Sequence, residues 1–181
     1  MSRCVPLLLL VFTACGPFKY VQKAEQSPLA GQTVLMLDSL LFQNAEVDGL
    51  PEDAWIAGQN DTWKAEWPSD QARASKGFAM ALKSRLADQG ITVTPQANPQ
   101  GATLLLKPRV VKLETGGWYD TVLSINVRVV DTAKNTTLEE IATKVRVKSN
   151  FDKFEDRLDR ASLLAAGNVA LYVSERAQKQ P

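Results

Sequence analysis

Apolar and polar positions alternate most clearly between residues 121 and 148. Leu123, Ile125, Val127 and Val129 are apolar, and their neighbours Ser124, Asn126 and Arg128 are polar. A period of two is that of a half-buried strand. After the turn-forming "DTAKNT", Ile141, Val145 and Val147 point one way, and Glu140, Lys144, Arg146 and Lys148 the other. Upstream, "ATLLLKPRVVKLE" (102–114) is extended, with Pro108 marking a bulge or an edge. Three successive strands joined by tight turns predict an antiparallel meander. Shorter apolar runs, "TVLMLDSL" (33–40) and "ITVT" (91–94), predict two more strands.

The helical period occurs twice. Ala74, Phe78, Ala81, Leu82, Arg85 and Leu86 form one stripe of a helix over Asp70–Gln89, which Gly90 ends. Phe154, Leu158, Ala161, Ala165, Val169 and Tyr172, with Leu164 and Leu171 beside them, form the stripe of a final helix from about Lys153 to Ala177. Two amphipathic helices and a sheet with one polar face predict an α+β two-layer sandwich. The sheet is mixed but mainly antiparallel, both helices lie on one face, and the order is β-α-β-β-β-β-α.

Two stretches lack a period. Residues 16–31, "GPFKYVQKAEQSPLAG", read as a tether with a reach of some 50 Å at full extension, unless Phe18 and Tyr20 pack on the domain. Residues 43–69 read as an irregular insertion holding Trp55, Trp63 and Trp67. Within it, Pro51 followed by Glu52 and Asp53 predicts a helix start, and a second short helix is expected over Asp61–Trp67. Trp is enriched at interface hot spots, so these rings are candidate partner-binding residues; the alternative is that they fold back as a lid.

The chain opens differently. Arg3, then an apolar run from Val5 to Phe12 broken only by Pro6, then Thr13, Ala14 and Cys15, have the parts of an export signal. The run is too short to span a bilayer. This stretch resembles the lipobox of bacterial lipoproteins, with Phe12 standing where Leu is usual. The resemblance implies that residues 1–14 are a signal peptide, that Cys15 is lipidated, and that 15–31 is a lipidated tether to a single domain over 32–181. It also implies a cell-envelope location, and Gly16 points to the outer membrane, facing the periplasm. Several acyl chains together hold firmly where one would not.

Composition narrows the chemistry. The full chain has 21 basic and 20 acidic side chains. Loss of Arg3 with the signal leaves no net charge, which argues against nucleic acid as a partner. There is no histidine, so a Ser-His-Asp triad, a Cys-His pair and a His-ligated zinc site are all excluded. No catalytic residue, metal or cofactor is expected, and the protein is not expected to be an enzyme. The cations Arg128, Lys144, Arg146 and Lys148 on the polar sheet face are further candidates for partner binding; the alternative is a solvated face.

The stretches "GATLLLKPRVVKLE" and "LSINVRVVDTAKNTTLEEIATKV" resemble small α+β envelope lipoproteins, such as the lipoprotein of the curli secretion channel and the N-terminal domain of the Tol-system periplasmic protein. The expected role is that of an outer-membrane-anchored accessory or structural subunit of an envelope assembly, secretion or transport complex, with an envelope protein as partner. The alternative is a carrier of an apolar envelope ligand such as a lipid, held between sheet and helices.

Overall fold

The computed structural model describes residues 16–116, 120–149 and 152–178. Cys15 and the signal expected before it lie outside these residues. In chain order the elements are β1 (Phe18–Gln22), β2 (Val34–Leu37), β3 (Glu46–Val47), β4 (Leu50–Pro51), α1 (Glu52–Ala57), α2 (Asp61–Ala87), β5 (Thr92–Pro95), β6 (Leu104–Glu114), β7 (Thr121–Asp131), β8 (Thr136–Val147) and α3 (Phe154–Ala177). The sheet runs β1-β8-β7-β6-β2-β5, with β3 and β4 attached beyond β6. It is mixed: β1, β8, β7 and β6 pair antiparallel, whereas β2 is parallel to both β5 and β6. The α+β sandwich expected from the sequence is the observed architecture.

The meander forms as its alternation dictates. Leu106, Val110, Leu123, Ile125, Val127, Val129 and Ile141 are all at most 1 % exposed and face the helices. The turn after β7 is made by Asp131, whose Oδ1 accepts from the amides of Ala133 and Lys134 at 2.9 and 3.0 Å. Asn135 there has φ 50°. Pro108 sits inside a central strand, where a missing N–H is normally costly. Its carbonyl accepts from Leu41 N at 3.3 Å, on the side where β2 has already ended. No ladder there needs the absent donor.

Helix α2 is longer than its stripe predicts. It starts at Asp61, where Asn60 caps it by accepting from Trp63 N at 2.9 Å, and it passes through Pro68 without ending. The two helices expected over 61–67 and 70–89 are therefore one. Tertiary packing of Trp67 and Phe78 on the core outweighs the hydrogen bond that Pro68 removes. Gly90, at φ 76°, turns the chain away after the helix. Buried Ala74, Phe78, Leu82 and Leu86 form its inner stripe. In α3 the expected stripe is buried throughout, but Leu164 and Leu171 are about half exposed and face outward. Arg160 pairs with Asp152 just before the helix.

The stretch expected to be a tether is part of the sheet. β1 pairs antiparallel with β8, Phe18 opposite Thr143 and Tyr20 opposite Ile141. Thr143 Oγ1 donates to the Pro17 carbonyl at 2.7 Å. Phe18 and Tyr20 meet the Tyr172 ring of α3 edge-on, at 5.4 and 6.2 Å between centroids. Leu29 is fully buried. The composition of 16–31 gave no period because a five-residue edge strand with polar outward positions is too short to show one.

Candidate functional site

The three tryptophans expected to offer a contact surface are folded inward. Trp55 and Trp67 are 5 % and 4 % exposed, and Trp63 is partly buried. Trp55 lies 5.2 Å from Trp67 and 5.5 Å from Trp63; Trp63 lies 5.2 Å from Phe154, and Trp67 lies 5.9 Å from Phe42. The polar edges of Trp55 and Trp67 are satisfied inside the protein. Trp67 Nε1 donates to Glu52 Oε1 at 3.0 Å and Trp55 Nε1 to Asp48 Oδ2 at 3.2 Å. Burial of Trp55 and Trp67 with their N–H groups paired folds this segment over the core as a lid, the alternative arrangement, while Trp63 stays partly exposed.

Asp48 organises this lid. It sits in the two-residue turn between β3 and β4 at φ 49°, followed by Gly49 at φ 85°. Asp-Gly with both residues at positive φ is a favoured hairpin turn. Its carboxylate also accepts from Thr115 N at 2.7 Å and Thr115 Oγ1 at 2.5 Å. The "DG" pair at 48–49 was a sequence signal for this hairpin.

Among the described residues no element covers the polar sheet face, and its cations are only partly brought together. Arg128 lies opposite Glu140 and pairs with it at 3.0 Å. Arg146 is 3.8 Å from Asp120. Lys144, opposite Ser124, has no ion pair among the described residues, and Lys148 lies exposed beyond the end of β8. Arg128 and Lys144 are four residues apart in register, about 13 Å along the strands. The expected four-residue cluster is thus a trio at one end, with a neutralised arginine towards the other.

Two cations on this face went unnoticed in the sequence. Lys107 and Arg109 of β6 lie opposite Arg128 and Asn126, and neither has an ion pair among the described residues. The period-two argument that placed Arg128 would have placed them too. Lys19 of β1 joins the face opposite Ala142. Between β1 and β7 a trough of about 640 Å³ opens, lined by Gly16, Lys19, Val21, Val111, Asn126 and Lys144 among others.

On the helix side, a buried polar cluster ties the N-terminal stretch down. Glu139 is fully buried on β8 and Arg176 is 3 % exposed on α3. Arg176 Nη2 is 2.8 Å from Glu139 Oε1, and its Nε donates to Oε2 at 3.1 Å. Tyr172 OH donates to Oε2 at 2.8 Å. Burial first, then the hydrogen bond to Glu139, holds the Tyr172 hydroxyl far above the ordinary phenol range. Arg176 Nη2 also donates to the Ala24 carbonyl at 3.3 Å, and Ser27 Oγ donates to the Arg176 carbonyl at 2.7 Å. This cluster has no open face and reads as structural.

Among the described residues, no group of three or more His, Cys, Asp or Glu side chains could hold a metal, and no helix is long and apolar enough to cross a membrane. No protein-family model matches the chain, and no curated protein matches it by sequence. Solved structures are similar at low identity. A PelC dodecamer from Paraburkholderia phytofirmans aligns at 14 % identity over 91 % of this chain and 100 % of that one, with a TM-score of 0.47. Lipoprotein GNA1162 from Neisseria meningitidis aligns at 14 % identity over 67 % of this chain and 85 % of that one, with a TM-score of 0.40.

Proposed function

We propose that this chain is a lipid-anchored envelope protein, held through acyl chains on Cys15 in the outer membrane and facing the periplasm. Its work is that of a non-enzymatic accessory or structural subunit of an assembly, secretion or transport complex. The observation that carries this reading is the position of β1. It begins at Phe18, three residues after Cys15, so full extension gives about 10 Å between anchor and sheet. A domain on so short a lead stays beside the lipid headgroups, with the bare sheet face and its trough opening next to Gly16. With Trp55 and Trp67 buried, the contact surface for an envelope partner moves to that face, where Lys107, Arg109 and Lys144 have no ion pair among the described residues and suit an acidic patch.

Cell fractionation and metabolic lipid labelling test the anchor. Cys15→Ser should move the protein out of the membrane fraction and abolish labelling; unchanged behaviour removes the reading. A photo-reactive residue at position 142, in the trough, tests the face. It should capture one reproducible envelope protein, and Arg109→Glu should abolish the capture.

A further inference from the structure

The space between sheet and helices is filled: Phe78, Leu82, Leu86 and Tyr172 are each at most 1 % exposed. Room for a ligand lies instead at the carboxyl ends of β2 and β5. These parallel strands end at Leu37 and Pro95 and, with α2, bracket an open cleft of about 780 Å³. That is within the roughly 300–1,000 Å³ common for small-molecule sites. The carboxyl ends of parallel strands are also where open α/β sheets take ligands.

The walls are apolar, formed by Leu37, Leu41, Phe42, Ala79, Met80 and Val93. Leu41 and Met80 are 45 % and 63 % exposed, so two large apolar side chains face the opening without cover. Lys76 and Lys83, seven residues apart on α2, line the same cleft. Neither has an ion pair among the described residues. Neither has an acid three or four residues away on the helix, where its neighbours are Ala72, Arg73, Ala79, Met80, Leu86 and Ala87. The acid in the lining is Asp38, whose Oδ1 already accepts from Ser39 N at 2.8 Å. Ser75 Oγ accepts from Leu40 N at 3.0 Å and fixes the 37–43 segment against α2. The cleft is therefore a held shape with apolar walls and a rim on which two lysines outnumber one carboxylate.

We propose that this cleft binds a single-chain amphiphile with an anionic head, its tail against Leu41, Phe42 and Met80 and its head between Lys76 and Lys83. The two lysines stand about 10 Å apart along the helix axis, close enough for their flexible stems to converge. The cleft shares no lining residue with the trough on the sheet face.

The full chain carrying Cys15→Ser, purified without detergent, tests this; no attached acyl chain then competes, and the readout does not depend on anchoring. The probe is parinaric acid, a fluorescent fatty acid, with its methyl ester as the neutral control. The acid should bind saturably. Ala72→Trp, at an exposed position of the cleft wall, should abolish binding with the thermal melt unchanged. Lys76→Glu with Lys83→Glu should weaken the acid at least about tenfold, the worth of a charged hydrogen bond, and leave the ester unaffected. Absence of saturable binding, survival of binding in Ala72→Trp, or equal weakening of acid and ester overturns the proposal. Unchanged fractionation of Cys15→Ser would undo the anchor reading and leave this result standing.

Discussion

The stretches 16–31 and 43–69 are held to the same domain by opposite means. The first is held through its backbone and polar groups: the β1 ladder, Thr143 on the Pro17 carbonyl, Arg176 on the Ala24 carbonyl and Ser27 on the Arg176 carbonyl. The second is held mainly by area. Trp67 is buried against Phe42 and Phe154, and Trp55 against Trp67 and Trp63. Hydrophobic area is non-directional and tolerates small shifts. A buried charge pair is intolerant: removing one partner strands the other. The two stretches should therefore fail differently.

The largest effect is expected from Trp67→Ala, about 3–5 kcal/mol for loss of a buried indole and the cavity left behind. Urea melts measure it, and hydrogen exchange should show 43–69 loosened while β1 keeps its protection. Arg176→Met should cost a comparable amount, about 3–5 kcal/mol, by leaving Glu139 buried and unpaired. Here β1 and residues 23–31 should lose protection first, and adding Glu139→Leu should recover much of the loss. A smaller effect, about 1 kcal/mol, is expected for Tyr172→Phe near neutral pH. Its pH dependence is more telling. The folded chain keeps the Tyr172 proton that the unfolded chain releases near pH 10, so stability falls as pH rises past that point, by about 1.4 kcal/mol per unit for this group. In the Phe variant that part of the alkaline slope disappears. Trp63→Ala, at a partly exposed ring, should cost least, about 1 kcal/mol. A loss as large as that of Trp67→Ala would mean that the three rings act as one unit.

The parts legible in the sequence are those whose own pattern repeats long enough to count. β6, β7 and β8 alternate over eleven or twelve residues, and α3 repeats its stripe six times. What the pattern hid is tertiary. "FKYVQ" becomes a strand only because β8 offers an edge and Tyr172 a surface. Arg157 and Arg176 look like solvent-facing helix positions, yet both are buried: Arg157 donates to Thr121 Oγ1 and to the Asp152 and Thr115 carbonyls, and Arg176 meets Glu139. The cleft at the ends of β2 and β5 was equally illegible, because it is lined by three separate stretches, 37–43, 68–83 and 93–95. By contrast, Lys107 and Arg109 were within reach of the same alternation that placed Arg128.

Asp48 has a further consequence for how the molecule opens. One carboxylate joins the β3–β4 turn, the end of β6 at Thr115 and the Trp55 indole of α1. Withdrawal of Asp48 with its turn breaks the bonds to Thr115 and to Trp55 together. Amides from 45 to 57 should thus exchange with solvent at one shared rate, as a single cooperative unit rather than a fraying loop.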